Sequence, residues 1–203
     1  MGWTRNWDNL VLALTTITGS TSSSAPSNYD PPIMVRRTDG AYKNVGGQSV
    51  FTGSTPFAQL CPAKMRFSDS INTGGSTYEY AQLFLGEGTT AENYEDYTMA
   101  SPIANSGWDV LTNTTIETAS TLDTGTGKIK GGITKVIFQY TGSDPVTVSE
   151  YGIALPIISS GGSYVECLVY RKVLDEAITV EQYDRLELEF TYPDIMPNQQ
   201  YPT

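Results

Sequence analysis

From Arg185 to Tyr192 the chain alternates without a break. Arg185, Glu187, Glu189 and Thr191 take the odd positions, and Leu186, Leu188, Phe190 and Tyr192 take the even ones. Successive side chains on a strand point to opposite faces, so a period of two satisfies both sets only in a β-strand with one buried and one wet face. A helix would spread the four large apolar residues around its circumference and bury none of them together.

The same reading extends upstream. In ITKVIFQYTG, Val136, Phe138 and Tyr140 share a side; VTVSEYGIALPI and SYVECLVYRKVL follow, and turn signals stand at Ser143-Asp144-Pro145, Ser160-Gly161-Gly162 and Glu181-Gln182-Tyr183. Taken in order, each strand is expected to run back along the one before it, with a last hairpin joining AITV to DRLELEFTY. STYEYAQLFLG is a further strand, with Tyr78, Tyr80, Gln82 and Phe84 on one face and Glu79, Ala81, Leu83 and Leu85 on the other. Nineteen glycines and thirteen tyrosines suit short strands joined by many turns. The expected fold is all-β, an antiparallel β-sandwich of jelly-roll type.

The amino-terminal end departs from this pattern. Trp7, Leu10, Val11, Leu14 and Ile17 recur at helical spacing, which predicts a short amphipathic helix over 5–17. TGSTSSSAPSNYDPP follows and has the composition of an extended arm. The chain therefore divides into a helix and Ser/Pro-rich arm, 1–38, and a β-sandwich domain, 39–203.

Charge and missing residue types narrow the chemistry. A net charge of -10 repels phosphate backbones, so direct nucleic-acid binding is not expected, and Arg36-Arg37 is a small basic cluster. With no histidine, the commonest metal ligand and the usual base of a catalytic triad are both missing. Two cysteines, Cys61 and Cys167, are too few for a cysteine-rich zinc site; they are either buried thiols or one disulfide. The apolar run Leu10–Leu14 is far too short to span a bilayer, and Asp8 with two tryptophans makes a poor leader, so a soluble protein made in a cytoplasm is expected.

Several motifs imitate active sites. Asp123-Thr124-Gly125 matches the triplet of an aspartic protease, but the preceding TAST is polar and no second triplet supplies a paired carboxylate. Gly125-Thr126-Gly127-Lys128 lacks the hydroxyl residue that a phosphate loop needs after its lysine, because Ile129 stands there. Two acid sets, Glu87, Glu92, Glu95 and Asp96, then Asp184, Glu187 and Glu189, are candidates for glycoside hydrolysis. The first set lacks the spacing of a calcium loop, and the second lies on the wet face of a strand. Asn113-Thr114-Thr115 is a glycosylation sequon, with meaning only in a secreted protein. No catalytic residue, metal or cofactor is expected. A sugar platform would instead require Tyr78, Tyr80 and Phe84 to be exposed together. Trp3, Trp7, Tyr29, Tyr94, Tyr97 and Trp108 fit partner contact better, because large rings with polar handles and few rotatable bonds suit interfaces.

Three stretches form a wider pattern: Gly86, Gly88, Thr89-Thr90-Ala91, Tyr97 and Ser101-Pro102-Ile103; then Val146-Thr147-Val148-Ser149-Glu150-Tyr151-Gly152-Ile153; then Arg171, Val173-Leu174, Ile178-Thr179-Val180, Asp184, Leu186 and Leu188. Over about residues 83 to 192 this resembles virion structural proteins of tailed bacteriophages, with their GxGTTA…Y…SPI segment, VTVSE.GI strand and ITV….D.L.LE.TY ending. The chain departs from that pattern at Tyr151 and Tyr183, where smaller or apolar residues and a glycine are more usual. The resemblance implies a β-sandwich component of a virion. The expected function is therefore that of a non-enzymatic auxiliary or minor capsid (decoration) protein, made in the host bacterial cytoplasm. Its partners would be major capsid or neck and tail subunits and further copies of itself, without membrane or nucleic acid. A tail or fibre protein that contacts the host, and a carbohydrate-binding module, are the alternatives.

Overall fold

The computed structural model describes residues 2–18, 33–45, 60, 64–67, 80–104, 106–117, 119, 130–158 and 164–194. Helix α1 covers Arg5–Thr18, with Asp8 in its first turn, where a negative charge complements the helix dipole. Trp7, Leu10 and Val11 of the expected stripe are buried, with Ala13 beside them, while the side chains of Leu14 and Ile17 lie outside the described residues. Two short strands, β1 (Met34–Arg36) and β2 (Tyr42–Asn44), form an antiparallel ribbon. Gly40 closes the turn between them at φ +87°, a conformation that favours glycine.

The remaining strands are β3 (Lys64–Phe67), β4 (Tyr80–Gly86), β5 (Trp108–Glu117), β6 (Ile133–Tyr140), β7 (Val146–Ile158), β8 (Tyr164–Val180) and β9 (Arg185–Thr191). They form two sheets, one of order β3-β4-β7-β8 and one of order β5-β6-β9. Pairing is antiparallel throughout the second sheet and along β4-β7-β8, while β3 runs parallel to β4. The described residues are thus mostly β, with a short amino-terminal helix.

The pairing corrects the hairpin reading at two places. β6 and β7 are consecutive but lie in different sheets, so the turn at Ser143-Asp144-Pro145 is a crossover. AITV is the end of the long strand β8, and the turn after it carries the chain across to β9, which pairs with β6. Both corners are tied down at Tyr140. Its N–H donates to the Asp184 carbonyl at 2.9 Å, its carbonyl accepts from the Tyr183 N–H at 2.6 Å, and its hydroxyl donates to the Asp144 carbonyl at 2.7 Å. Turn signals report where a strand ends, not which strand the next one joins. Of the successive strands from β6 to β9, only β7 and β8 pair as the sequence order implies.

One apolar cluster joins the two sheets and the helix. It includes Leu10 and Val11 of α1, Leu83 of β4, Ile153 and Leu155 of β7, Val136 and Phe138 of β6, and Phe190 of β9. Full burial of such a side chain is worth about 1.5–3 kcal/mol before entropy is charged. The even positions of β9 face this core as the alternation predicts: Phe190 and Tyr192 are buried, and Leu186 and Leu188 pack partly buried against it. β4 differs from its expected form, because both of its faces are covered. Ala81, Leu83 and Leu85 point to the main core, while Phe84 joins Met99, Ala154 and Leu168 in a second cluster beneath the segment that follows β4.

Candidate functional site

The segment after β4 leaves the sheet and returns to it. Gly86 and Pro102 form an isolated antiparallel bridge, the Glu87 N–H donates to the Ser101 carbonyl at 2.8 Å, and the Ile103 N–H donates to the Leu85 carbonyl at 2.8 Å. Residues 87–101 are therefore a loop closed at its base. Inside it Asn93 starts a tight turn, taking the Glu95 N–H on Oδ1 while its own N–H donates to Asp96 Oδ2.

A buried ion pair holds this loop to the sheet. Arg171 of β8 donates through Nε to Glu150 Oε2 of β7 at 2.7 Å and through Nη1 to Asp96 Oδ2 of the loop at 2.8 Å. Its Nη2 donates to the Thr90 carbonyl at 2.9 Å, and Nη1 makes a longer contact of 3.5 Å with the Ala91 carbonyl. Glu150 uses its other oxygen to accept the Ser101 N–H at 2.8 Å. The planar guanidinium fork thereby joins two strands and the loop at once. Burial by itself would lower the pKa of Arg171, but the bonds to Asp96 and Glu150 prevail and raise it.

Two further ties fix the loop's far side. Glu92 Oε1 accepts the Val173 N–H at 3.0 Å and pairs with Lys172 at 3.1 Å. Desolvation works against its charged form, yet the Val173 N–H and Lys172 hold the carboxyl below its usual range. At the helix, the Tyr94 carbonyl accepts the Arg5 N–H at 2.8 Å and the Tyr94 hydroxyl donates to Asp8 Oδ2 at 2.7 Å. Partial burial, then that bond to Asp8, pushes the Tyr94 pKa up to about 12. Arg5 also pairs with Glu95 at 2.5 Å.

The loop, α1 and the β1–β2 ribbon surround a cleft of about 50 Å³ whose lining includes Asn6, Asn9, Arg36, Tyr42, Glu95 and Tyr97. Asn6 fixes its floor by treating Arg36 as a neighbouring strand would: Oδ1 accepts the Arg36 N–H at 2.7 Å and Nδ2 donates to the Arg36 carbonyl at 2.6 Å. Asn9 repeats half of this at the Met34 carbonyl. The Arg36 guanidinium lies 3.5 Å from the centre of the Tyr97 ring and 5.5 Å from that of Tyr42.

The expected contact residues fall in different places. Trp3 is partly exposed and belongs to an aromatic group with Trp7, Tyr170 and Phe190, at ring distances of 4.6, 5.1 and 5.6 Å. Trp7 and Trp108 are buried in the chain's own core, the latter against Tyr140. Tyr94 and Tyr97 are half-buried members of the loop, engaged with Asp8 and Arg36, and Tyr29 lies outside the described residues. So do Cys61, Asp123-Thr124-Gly125 and Lys128, while Cys167 is a buried free thiol whose pKa is raised by burial. Of the loop acids, Glu92, Glu95 and Asp96 pair with Lys172, Arg5 and Arg171; Glu187 pairs with Lys135 at 2.5 Å on the outer face of the second sheet. The cleft that Glu95 and Asp96 line includes none of Asp184, Glu187 and Glu189. Phe84 is 4% exposed, which removes it from any sugar platform.

Glu150 and Arg171 are the residues that a search for chemistry in the sequence passed over. Their signal in the sequence was faint, since Glu150 stands between Ser149 and Tyr151 and Arg171 stands beside Lys172; only their burial on β7 and β8 shows that each charge has to be paired. Among the described residues no group of three or more Cys, Asp or Glu side chains is placed to hold a metal ion, and no helix is long and apolar enough to cross a membrane. Compared with known proteins, the chain matches no family model, no curated protein and no solved structure.

Proposed function

We propose that the chain is a non-enzymatic structural component of a tailed-bacteriophage particle, an auxiliary or minor capsid protein made in the host bacterial cytoplasm. Its two sheets would form an antiparallel sandwich of jelly-roll type. One observation carries this reading. The three stretches that resemble virion proteins are separate in sequence, yet Gly86, Gly88, Ser101, Glu150 and Arg171 come together at the base of one clasped loop. Residues shared for catalysis would converge on an accessible cleft; these converge on a joint that sets the shape of a surface loop. A loop held this firmly presents a preorganised surface, which lowers the entropy cost of docking on neighbouring subunits. Trp3, Tyr94 and Tyr97, the partly exposed members of the expected contact set, lie on or beside it.

The test is density-gradient fractionation of a lysate from cells that make the chain, followed by immunoblotting and immunogold labelling. The reading requires the chain to travel with intact particles and the label to sit on them. Gold on the tail would favour the tail or fibre alternative. A chain that stays wholly in the soluble fractions while particles sediment would end the virion reading.

A further inference from the structure

Among the described side chains, Arg5, Arg37, Lys130, Lys135, Arg171 and Lys172 each face a carboxylate of the same chain. Arg36 and Arg185 do not. Arg185 stands exposed on β9. Arg36 is half-buried in the cleft between α1, the β1–β2 ribbon and the loop. In a chain of net charge -10, a cation left unneutralised in a recess stands out.

The side chain is already oriented. Its Nε donates to the Gly40 carbonyl at 3.3 Å and its face rests on the Tyr97 ring at 3.5 Å, while the backbone beneath it is fixed by both ends of the Asn6 amide. Nη1 and Nη2 take no acceptor among the described residues. A guanidinium stacked on a ring and tied at Nε has lost most of its freedom before a ligand arrives, so less is lost on binding. We propose that this cleft is a carboxylate-binding site anchored by Arg36.

The choice of anion follows from size and charge. A cleft of about 50 Å³ holds roughly three or four water-sized groups, which is a carboxylate with the carbon that bears it. One cation without a partner matches one negative charge, and two terminal N–H groups on a planar fork match two carboxylate oxygens. A phosphate dianion would meet the neighbouring carboxylates of Glu95 and Asp96 with no second unpaired cation among the described lining residues to offset them. The amides of Asn6 and Asn9 already donate to β1 carbonyls. The carboxylate can come from a side chain of a docked protein segment or from a free small acid. The site does not depend on the virion reading.

The experiment is a titration of the full chain, following the arginine Nε–H signals by NMR, with three probes in turn: acetate, a capped glutamate (N-acetyl, N-methylamide) and inorganic phosphate. Arg36 should shift saturably with both carboxylates and Arg185 should not, and phosphate should bind more weakly. If the capped glutamate binds about tenfold tighter than acetate, the source is a protein segment; equal affinity assigns the site to free acids, and both results support it. The signal change should vanish in Arg36→Gln and weaken in Arg36→Lys, which keeps the charge and loses the fork. No saturable shift at Arg36, phosphate binding as tightly as acetate, or binding that survives Arg36→Gln would each overturn the proposal. The wild-type titration alone is enough to do so if the variants do not fold.

Discussion

Arg171 and Glu150 meet at 2.7 Å with 3% and 0% of their side chains exposed, which makes them the most deeply buried ion pair among the described residues. Removing one partner leaves the other charged, desolvated and unpaired, at a cost of about 3–5 kcal/mol. Arg171→Met and Glu150→Leu should each lower the unfolding free energy by about that much in a denaturant titration. The double variant should regain part of the loss and no more, because the Thr90 carbonyl and the Ser101 N–H still lack partners. Single variants within about 1 kcal/mol of wild type would show that the pair does not hold the loop.

Gly88 lies against that pair. A Cβ built on it would collide with Glu150 Oε1 and come within 2.7 Å of the Ala100 Cβ. No positive φ is involved, so the constraint is space. Gly88→Ala should destabilise by about 1–3 kcal/mol through displacement of Glu150. Thermal unfolding of this variant in the Glu150→Leu background separates the causes: if the collision with Glu150 is responsible, the two losses will not add.

The alkaline limb of stability should carry the signature of Tyr94. Its folded pKa of about 12 lies above the ordinary phenol value because of burial and the bond to Asp8. Between pH 10 and 12 the unfolded chain loses this proton and the folded chain keeps it. The contribution is complete below pH 10 and is lost as pH rises through the folded value. Tyr94→Phe should flatten that loss while costing about 1 kcal/mol at neutral pH from the missing hydrogen bond. Unfolding curves from pH 8 to 12 would detect it; an unchanged alkaline slope would place the effect elsewhere, with Tyr151 the next candidate because burial raises its pKa too.

Tyr183 sits at φ 71°, the one non-glycine residue with positive φ among those described, and its side chain is 65% exposed. A Cβ in the left-handed region costs about 1 kcal/mol, and an exposed ring has little packing to lose. Tyr183→Gly should therefore be neutral or stabilising by up to about 1 kcal/mol. A clear loss would show that the ring does work its exposure does not reveal.

The positions of β4 and of β6 to β9, and several core faces, were legible because they rest on local periodicity; β1, β2, β3 and β5 were not. The even residues of β9, the apolar stripe of α1 and the side shared by Val136, Phe138 and Tyr140 all face the core. Sheet membership was not legible. Pro145 and Glu181-Gln182 mark ends of strands, and nothing near them specifies a crossover, which depends on hydrogen bonds formed at Tyr140 from two directions. Tyr183 takes its positive φ at this corner, a conformation that the neighbouring residues do not announce. The ties that hold the loop were not legible, because its tyrosines and acids look unengaged in one dimension. Their partners, Asp8, Arg36, Lys172 and Arg171, lie dozens of residues away in either direction. The cleft at Arg36 was not legible either, since it needs three separate segments to exist.

The pairing of β9 with β6 bears on how the protein is made. β6 cannot complete its ladder on that side until the chain has been synthesised to Thr191, more than fifty residues later. Until then β7 and β8 can zip together, while Val136 and Phe138 wait beside an open edge. Pairing over such separations slows folding and leaves an adhesive strand accessible on the nascent chain. Yield in the cell should then depend on temperature and chaperone supply during translation more than on the stability of the finished molecule.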